Sequence, residues 1–242
     1  MIQIAIFSDI HGNLPALNAV LADIQSKNIY YKYCLGDLVD FAPWGNEVIE
    51  LIKNEKIPCL MGNHDERIAF DLPIVPLEKH DAEETANRIV AIKHSQETIT
   101  QENKLFLGQL PYLMQLDFKV KHKHWKVQLI HGSLESNEAY LYASEPNSTF
   151  EDIFFKTQAD IVVMGHTHLP FIKDIGKKWA INTGSVGRSK KMCKDATYLL
   201  VELHENRIHV EIIQVPFDII AVAHEIKASG IPDFYADFLL SE

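Results

Sequence analysis

No apolar run in this chain is long enough to span a bilayer, and the N-terminus has neither the basic region nor the small-residue cleavage site of a secretory signal. The sequence therefore predicts a soluble, cytoplasmic protein with no membrane partner. Cysteine is scarce. The three present, Cys34, Cys59 and Cys193, show no C-x-x-C spacing, which argues against a thiolate metal site or a disulfide framework. Cys34 and Cys59 fall in apolar runs and read as small buried hydrophobes. Positive charge is also in deficit, with 23 Lys and Arg against 33 Asp and Glu and a net charge of -10. That balance excludes a broad nucleic-acid surface and weakens a nuclease reading. No Gly/Ser/Pro-rich linker divides the chain, so residues 1–242 are expected to form a single domain with a helical excursion at about 71–110. Histidine alone is abundant, at 12 copies.

The apolar segments set the fold class. Ile2 to Phe7 is a β-branched run with the character of a strand buried on both faces. It stops at Ser8-Asp9-Ile10-His11-Gly12-Asn13, after which Asn13 caps a helix with Leu17, Val20, Leu21 and Ile24 on its inner face. Tyr31 to Leu35 repeats the pattern and ends at Gly36-Asp37-Leu38-Val39-Asp40, with a helix from about Asn46. Ile57 to Met61 reads as a third strand, ending at Gly62-Asn63-His64-Asp65. The order βαβαβ predicts a parallel sheet with right-handed crossovers. Asp71 to Lys79 is expected to be irregular and Ala82 to about Glu102 helical. Tyr112 to Phe118 and Trp125 to Ile130 are expected as strands joined by the basic run Lys119 to Lys126, with His122 and His124 at the tip. A helix near Thr149 to Thr157 leads to a strand, Asp160 to Met164, that ends at Gly165-His166-Thr167-His168. Antiparallel hairpins and two C-terminal helices follow, the first with Ile220, Ala223 and Ile226 on one face. His80, His94, His204, His209 and His224 read as surface or structural residues.

The strand ends collect Asp9, His11, Asp37, Asn63, His131, His166 and His168. These seven residues offer nitrogen and oxygen and no sulfur. Four imidazoles among oxygen donors suit a transition metal rather than Mg²⁺ or Ca²⁺. Seven ligands are too many for one reactive ion, whereas two ions sharing a carboxylate can use them.

Five motifs in order, Asp9-Ile10-His11, Gly36-Asp37-Leu38-Val39-Asp40, Gly62-Asn63-His64-Asp65, His131-Gly132 and Gly165-His166-Thr167-His168, resemble the calcineurin-like metallophosphoesterase superfamily. Asn182-Thr183-Gly184-Ser185-Val186-Gly187 extends the match. The resemblance implies an α/β fold, a two-layer β-sandwich flanked by helices in the order αββα. It also implies two divalent transition-metal ions, manganese first, with iron, zinc, nickel or cobalt as alternatives. Asp9, His11, Asp37 and His168 would hold one ion, Asn63, His131 and His166 the other, and Asp37 would bridge them. Attack by a metal-activated hydroxide would follow, with His64 as general acid oriented by Asp65 or Asp40, and with His64 and Asp65 as the catalytic pair.

Departures narrow the branch. Phosphoprotein phosphatases carry Arg-Gly after G-D-x-V-D and end the third motif in Glu, while this chain has Phe41-Ala42 and Asp65. The stretch Ser8 to Leu17 and the Gly184 to Gly187 turn resemble the small prokaryotic phosphodiesterases, some of which cleave dinucleoside polyphosphates. That branch usually follows the turn with Gln-Pro-Arg, and here Arg188-Ser189-Lys190 stands. The expected function is hydrolysis of a small phosphate ester or nucleotide. A metal-binding scaffold for protein interaction and a phosphoprotein phosphatase are the alternatives, and a homodimer is a compatible assembly. Arg67, Arg88, Arg188, Lys190, Trp44, Tyr140, Tyr142 and Phe171 could grip a leaving group, but each reads by default as a surface charge or a packing aromatic and none is assigned to the site.

Overall fold

In β1 (Ile2–Phe7) the side chains Ile4 and Ile6 face one way and Ala5 and Phe7 the other, and all four are fully buried. A strand of this kind needs a layer on each side. The computed structural model describes residues 1–77 and 80–241. It places β1 inside a four-stranded sheet with β2 (Tyr31–Cys34), β8 (Ala196–Leu203) and β9 (Ile208–Val215), in the order β2-β1-β8-β9. A second sheet contains β3 (Leu113–Val120), β4 (Lys123–Ile130), β5 (Ile161–Met164), β6 (Phe171–Ile175) and β7 (Lys178–Asn182), in the order β3-β4-β5-β7-β6.

The sheets pack face to face. Ile4, Ile6 and Val201 of the first meet Leu129, Val163 and Ile181 of the second. On the outer face of the first sheet, Ala5 and Phe7 pack against Leu17 and Val20 of α1 (Leu14–Ser26) and Val48 and Ile49 of α2 (Gly45–Asn54). On the outer face of the second, Val162, Met164 and Ala180 pack against Phe150, Ile153 and Phe154 of α6 (Asn147–Thr157). The layer order is thus helix, sheet, sheet, helix, as the sequence led us to expect. Each buried Ile, Leu or Phe contributes about 1.5–3 kcal/mol, and a one-residue slip of β1 would exchange its two apolar sets between layers.

Register brings the polar loops together. Phe7 lies opposite Cys34, so the turns after β1 and β2 run side by side. Leu129 lies opposite Val163 in parallel β4 and β5, so the ends of those strands are also neighbours.

Several expectations need correction. The first sheet is mixed, because β8 runs antiparallel to β1. Ile57 to Met61 forms no strand beyond a single parallel bridge between Cys34 and Cys59. Pro58 has no N–H to donate, and the Met61 amide bonds to Pro111 O at 2.8 Å instead. The expected helix to Glu102 is two helices, α4 (Ala82–Thr98) and α5 (Gln101–Leu107), because Ile99 is extended and Thr100 caps the second by accepting from the Asn103 amide. Residues 72–77 are irregular as expected, and Glu78 and Lys79 lie outside the described residues. The basic connection between β3 and β4 shrinks to a turn at Lys121 and His122. His124 is therefore in a strand, where it pairs with Asp117 at 2.8 Å. Helices α7 (Ile219–Ala228) and α8 (Asp233–Leu240) close the chain, but Ile220 is exposed and Val222 takes its place beside Ala223 and Ile226. These helices pack on Phe41, Ala42 and Ala91. Cys34 and Cys59 are buried, and Cys193 is exposed.

Candidate metal centre

The seven residues picked out at strand ends converge between the two sheets. Asp9, His11, Asp37 and His168 offer ligand atoms within 4.8 Å of one another, and so do Asp37, His131 and His166. Asp37 belongs to both groups. All of these residues are buried. Asn63, the first residue of α3 (Asn63–Ala69), joins the second group through its Oδ1, 3.2 Å from His131 Nε2.

Unusual backbone geometry aims these side chains. Asp9, His11, Asp37, His166 and His168 all have φ between 50° and 65°. This left-handed region is unfavourable for residues other than glycine and is held only when its surroundings over-determine it. Here they do, since the amides of Asp9, His11 and Gly12 donate to the carbonyls of Gly36, Asp37 and Leu38 at 3.0, 3.0 and 2.8 Å, locking the two turns together.

Each carboxylate is divided between two tasks. The His64 amide donates to Asp37 Oδ1 at 2.8 Å, while Oδ2 has no hydrogen-bond partner and lies 3.3 Å from His131 Nε2. The His166 amide donates to Asp9 Oδ2 at 3.0 Å, while Oδ1 is unpartnered and lies 3.2 Å from His168 Nε2. Two glycines permit these approaches. A Cβ on Gly62 would sit 2.1 Å from Asp37 Oδ1, and one on Gly165 would sit 2.6 Å from Asp9 Oδ2.

The imidazoles are set in the same way. Nδ1 of His11, His131 and His168 faces the carbonyl oxygen of Val39, Leu35 and Arg188 at 3.1, 2.9 and 2.7 Å. A proton on Nδ1 of His11 and of His168 leaves their Nε2 lone pairs pointing inward, whereas His131 turns its Nε2 to Asp37 Oδ2. His11 Nε2 and His168 Nε2 face each other at 3.1 Å. In His166 the roles are reversed, with Nε2 on Glu138 O at 3.1 Å and Nδ1 left as the donor atom. Two unpartnered buried carboxylate oxygens and a set of converging lone pairs would be mutually repulsive or unsatisfied in isolation. They fit divalent cations.

Ionisation follows the same arrangement. Burial, with help from the neighbouring imidazole, lowers His11 to about 3, and burial also lowers His166 and His168 to about 4, so all three are neutral ligands at pH 7. Burial opposes charge on His131 too, but the Asp37 carboxylate overcomes it and pushes this imidazole up to about 10. Burial likewise opposes ionisation of Asp9 and Asp37. His168 beside Asp9, and His131 and His64 beside Asp37, hold both carboxyls below the usual range.

His64 is not in either ligand group. Its Nδ1 is 2.5 Å from Asp40 Oδ2, and its ring stands edge-on to His11 at 5.0 Å between centroids. Asp65 does not touch His64. It accepts from the amides of Asp37, Leu38 and Gly62 at 2.7, 2.8 and 3.0 Å, and so fixes the turn that carries Asp37. Of the two orienting carboxylates considered from sequence, Asp40 is the one in contact. Burial raises Asp40 to about 7 and lowers His64 well below the ordinary value.

A cavity of about 400 Å³ opens onto Asp37, Asn63, His64, His166 and His168. That is the size of a small-molecule site. Six of the leaving-group candidates, Arg67, Arg88, Arg188, Lys190, Tyr140 and Tyr142, line it. Their default reading as surface charge fails for Arg67 and Arg88, which are 5% and 6% exposed. Trp44 and Phe171 instead join packing clusters. His80, expected on the surface, also lines the cavity and pairs with Glu84 at 3.3 Å. The sequence held one signal for Arg67, since it lies four residues after Asn63 and hence on the same face of α3. Arg88 and Arg188 carried none.

The model of the calcineurin-like phosphoesterases matches residues 2–170. The chain belongs to this family. It is a metal-dependent phosphoric ester hydrolase of the small prokaryotic branch. An uncharacterized protein of Methanocaldococcus jannaschii, MJ0912, is 31% identical over 98% of this chain and 97% of its own length. The phosphodiesterase YfcE of Escherichia coli is 24% identical over 78% of this chain and 82% of its own. The crystal structure of a metallophosphoesterase from Sphaerobacter thermophilus superposes with a TM-score of 0.74 at 24% identity, covering 99% of this chain and 98% of that one. No helix among the described residues is long and apolar enough to cross a membrane.

Proposed function

We propose that this phosphoesterase is a phosphodiesterase acting on a small phosphate ester of the nucleotide class, with a dinuclear centre. Asp9, His11, Asp37 and His168 would hold one divalent ion and Asn63, His131 and His166 the second, with Asp37 common to both. Manganese is the metal that the family resemblance puts first, and the mixed imidazole and carboxylate donor set is compatible with it as with iron or zinc. The observation that carries this reading is the double use of Asp37 by two buried donor groups beside one cavity. Divalent ions bound there supply a water activated at neutral pH and withdraw charge from the phosphoryl oxygens.

The chain's own residues do the rest. The backbone carbonyls of Val39, Leu35 and Arg188 fix the orientation of the His11, His131 and His168 rings, so their Nε2 atoms are aimed at the site before any ion arrives. His64, on the cavity wall, gives a proton to the leaving-group oxygen as its bond to phosphorus breaks, and the Asp40–His64 pair then recovers a proton from solvent. Asp65 acts as a positioning residue that keeps Asp37 in its strained turn.

The test is a metal-reconstitution series. Mn²⁺-loaded protein should bind two ions per chain and hydrolyse a chromogenic phosphodiester. Asp37→Ala should bind fewer than two and lose turnover by several orders of magnitude. A single-ion stoichiometry, or turnover that survives loss of Asp37, would sink the dinuclear proposal.

A further inference from the structure

The cavity beside the donor groups is lined by the cations Arg67, Arg88, Arg188 and Lys190 and by the carboxylates of Asp37, Glu84 and Glu138. Three guanidinium groups reach it from three separate parts of the fold. Arg67 comes from α3, one helical turn beyond Asn63. Arg88 comes from α4 in the helical excursion, and Arg188 from the loop after β7. Arg67 and Arg88 are almost wholly buried; burial first, and then the Arg67 charge, lowers Arg88 from its ordinary value, while the buried Asp40 carboxylate works the other way.

Their partners are thin. Among the described residues Arg67 has one ion-pair partner, Glu138 at 3.3 Å, which is itself 67% exposed, and Arg67 Nη1 has no hydrogen-bond partner. Arg88 Nη1 donates to the Val75 carbonyl at 2.9 Å. Arg188 Nε is buried and unpartnered. Its guanidinium is held by aromatic faces instead, 4.6 Å from the Phe41 centroid and 4.8 Å from that of Phe238. Neither Arg88 nor Arg188 has a salt bridge among the described residues. Buried guanidinium groups with spare N–H donors are unfavourable unless an anion completes them.

The metal centre does not need these arginines, since its own ions would meet the scissile phosphoryl group. A further anion is therefore implied. A carboxylate is planar and is satisfied by one guanidinium fork, whereas a phosphate presents oxygens in several directions and suits donors converging from several elements. Position supports the pairing, because the Arg188 carbonyl orients His168 while its side chain enters the cavity, so one residue links donor set and cation.

We infer that Arg67, Arg88 and Arg188 form a subsite for a second phosphate of the substrate, so that the enzyme's substrates carry at least two phosphoryl groups. This rests on the phosphoesterase reading of the neighbouring centre and adds the part of the substrate that does not react. Arg67 and Arg88 lie within the family match at residues 2–170, whereas Arg188 and the aromatic rings of α8 that hold it lie beyond that match.

Calorimetric titration of the Mn²⁺-saturated protein with AMP and ADP, ligands that differ by one phosphate, tests the assignment. Wild-type protein should bind ADP tighter by about tenfold or more, the effect of one or two added charge-assisted hydrogen bonds. The double variant Arg67→Gln/Arg188→Gln should bring that ratio below about threefold, and Arg67→Lys should recover part of it. Because Arg188 packs on Phe41 and Phe238 and Arg67 pairs with Glu138, thermal melts of the double variant are read beside the binding ratio. Equal binding of AMP and ADP by the wild type overturns the subsite, as does an undiminished ratio in the double variant. A melting point lowered by several degrees with the ratio unchanged assigns the arginines to structure. The two readings fail separately. Arginine-dependent ADP preference without hydrolysis of any phosphodiester removes the phosphodiesterase proposal and leaves the subsite. Hydrolysis of bis(p-nitrophenyl) phosphate without ADP preference does the reverse.

Discussion

Metal uptake by the second donor group should release a proton that uptake by the first does not. In the metal-free protein both ring nitrogens of His131 face oxygen acceptors, Nδ1 on Leu35 O at 2.9 Å and Nε2 on Asp37 Oδ2 at 3.3 Å. Such an imidazole is held as the cation, in keeping with its rise to about 10. A metal ion at Nε2 must displace that proton. At any pH between about 6.5 and 10 the affinity of this group for metal therefore carries one proton. It falls about tenfold, or about 1.4 kcal/mol, for each unit by which pH is lowered. His11, lowered to about 3, and His168, lowered to about 4, have no proton to lose in that window, and the first group adds nothing to the slope. The perturbation is His131→Asn, which keeps a ligand atom but removes the titrating ring. Calorimetry of Mn²⁺ binding in buffers of different ionisation enthalpy counts released protons, and wild type should exceed the variant by about one near pH 7.5. Ionisation of a metal-bound water is common to both and cancels. Equal counts in the two proteins would refute the argument from the paired oxygen acceptors.

Other consequences of the geometry can be measured directly. Asp40→Asn removes the carboxylate 2.5 Å from His64 Nδ1 and so destabilises the protonated ring. Turnover should fall by about 10²–10⁴-fold, and the alkaline limb of the pH–rate profile should move to lower pH; a fixed limb would take His64 out of proton transfer. Gly62→Ala drives a methyl group against Asp37, whose N and Oδ1 lie 2.3 and 2.1 Å from the added carbon. Overpacking of this kind costs on the order of 1–3 kcal/mol, so a Tm lowered by several degrees and reduced metal stoichiometry are expected in thermal melts and metal analysis. Asp65→Asn keeps the shape but weakens acceptance from three amides around Asp37. It should lower stability by about 1–3 kcal/mol and weaken metal binding, without moving the alkaline limb that Asp40→Asn moves.

The donor residues were legible in the sequence because of where they stand. Asp9, Asp37, His131 and His166 each follow an apolar run within three residues, and a polar metal-competent residue at the end of a buried strand has no packing reason to be there. Their number, their lack of sulfur and their imidazole content also limit the metal chemistry at the level of sequence. The layer order was likewise written in the alternation of Ile4 and Ile6 against Ala5 and Phe7.

Other features depend on residues far apart in the chain. Whether Asp40 or Asp65 reaches His64 could not be read locally, since both are close in sequence to a motif and the choice follows from how the β2 loop lies over α3. Ile57 to Met61 had the composition of a strand, but Pro58 and the competing Pro111 carbonyl left it one bridge long. The arginines of the cavity looked like ordinary surface charge because nothing within a few residues of Arg88 or Arg188 marks it as buried. Helices α4, α7 and α8 enclose them only once packed on Phe41 and Ala42. The sequence by itself determined the chemistry of the centre, because ligand type and strand-end position are local properties. The tertiary structure alone decided which carboxylate contacts His64 and which cations line the cavity, because burial and contact between distant segments exist only in the packed fold.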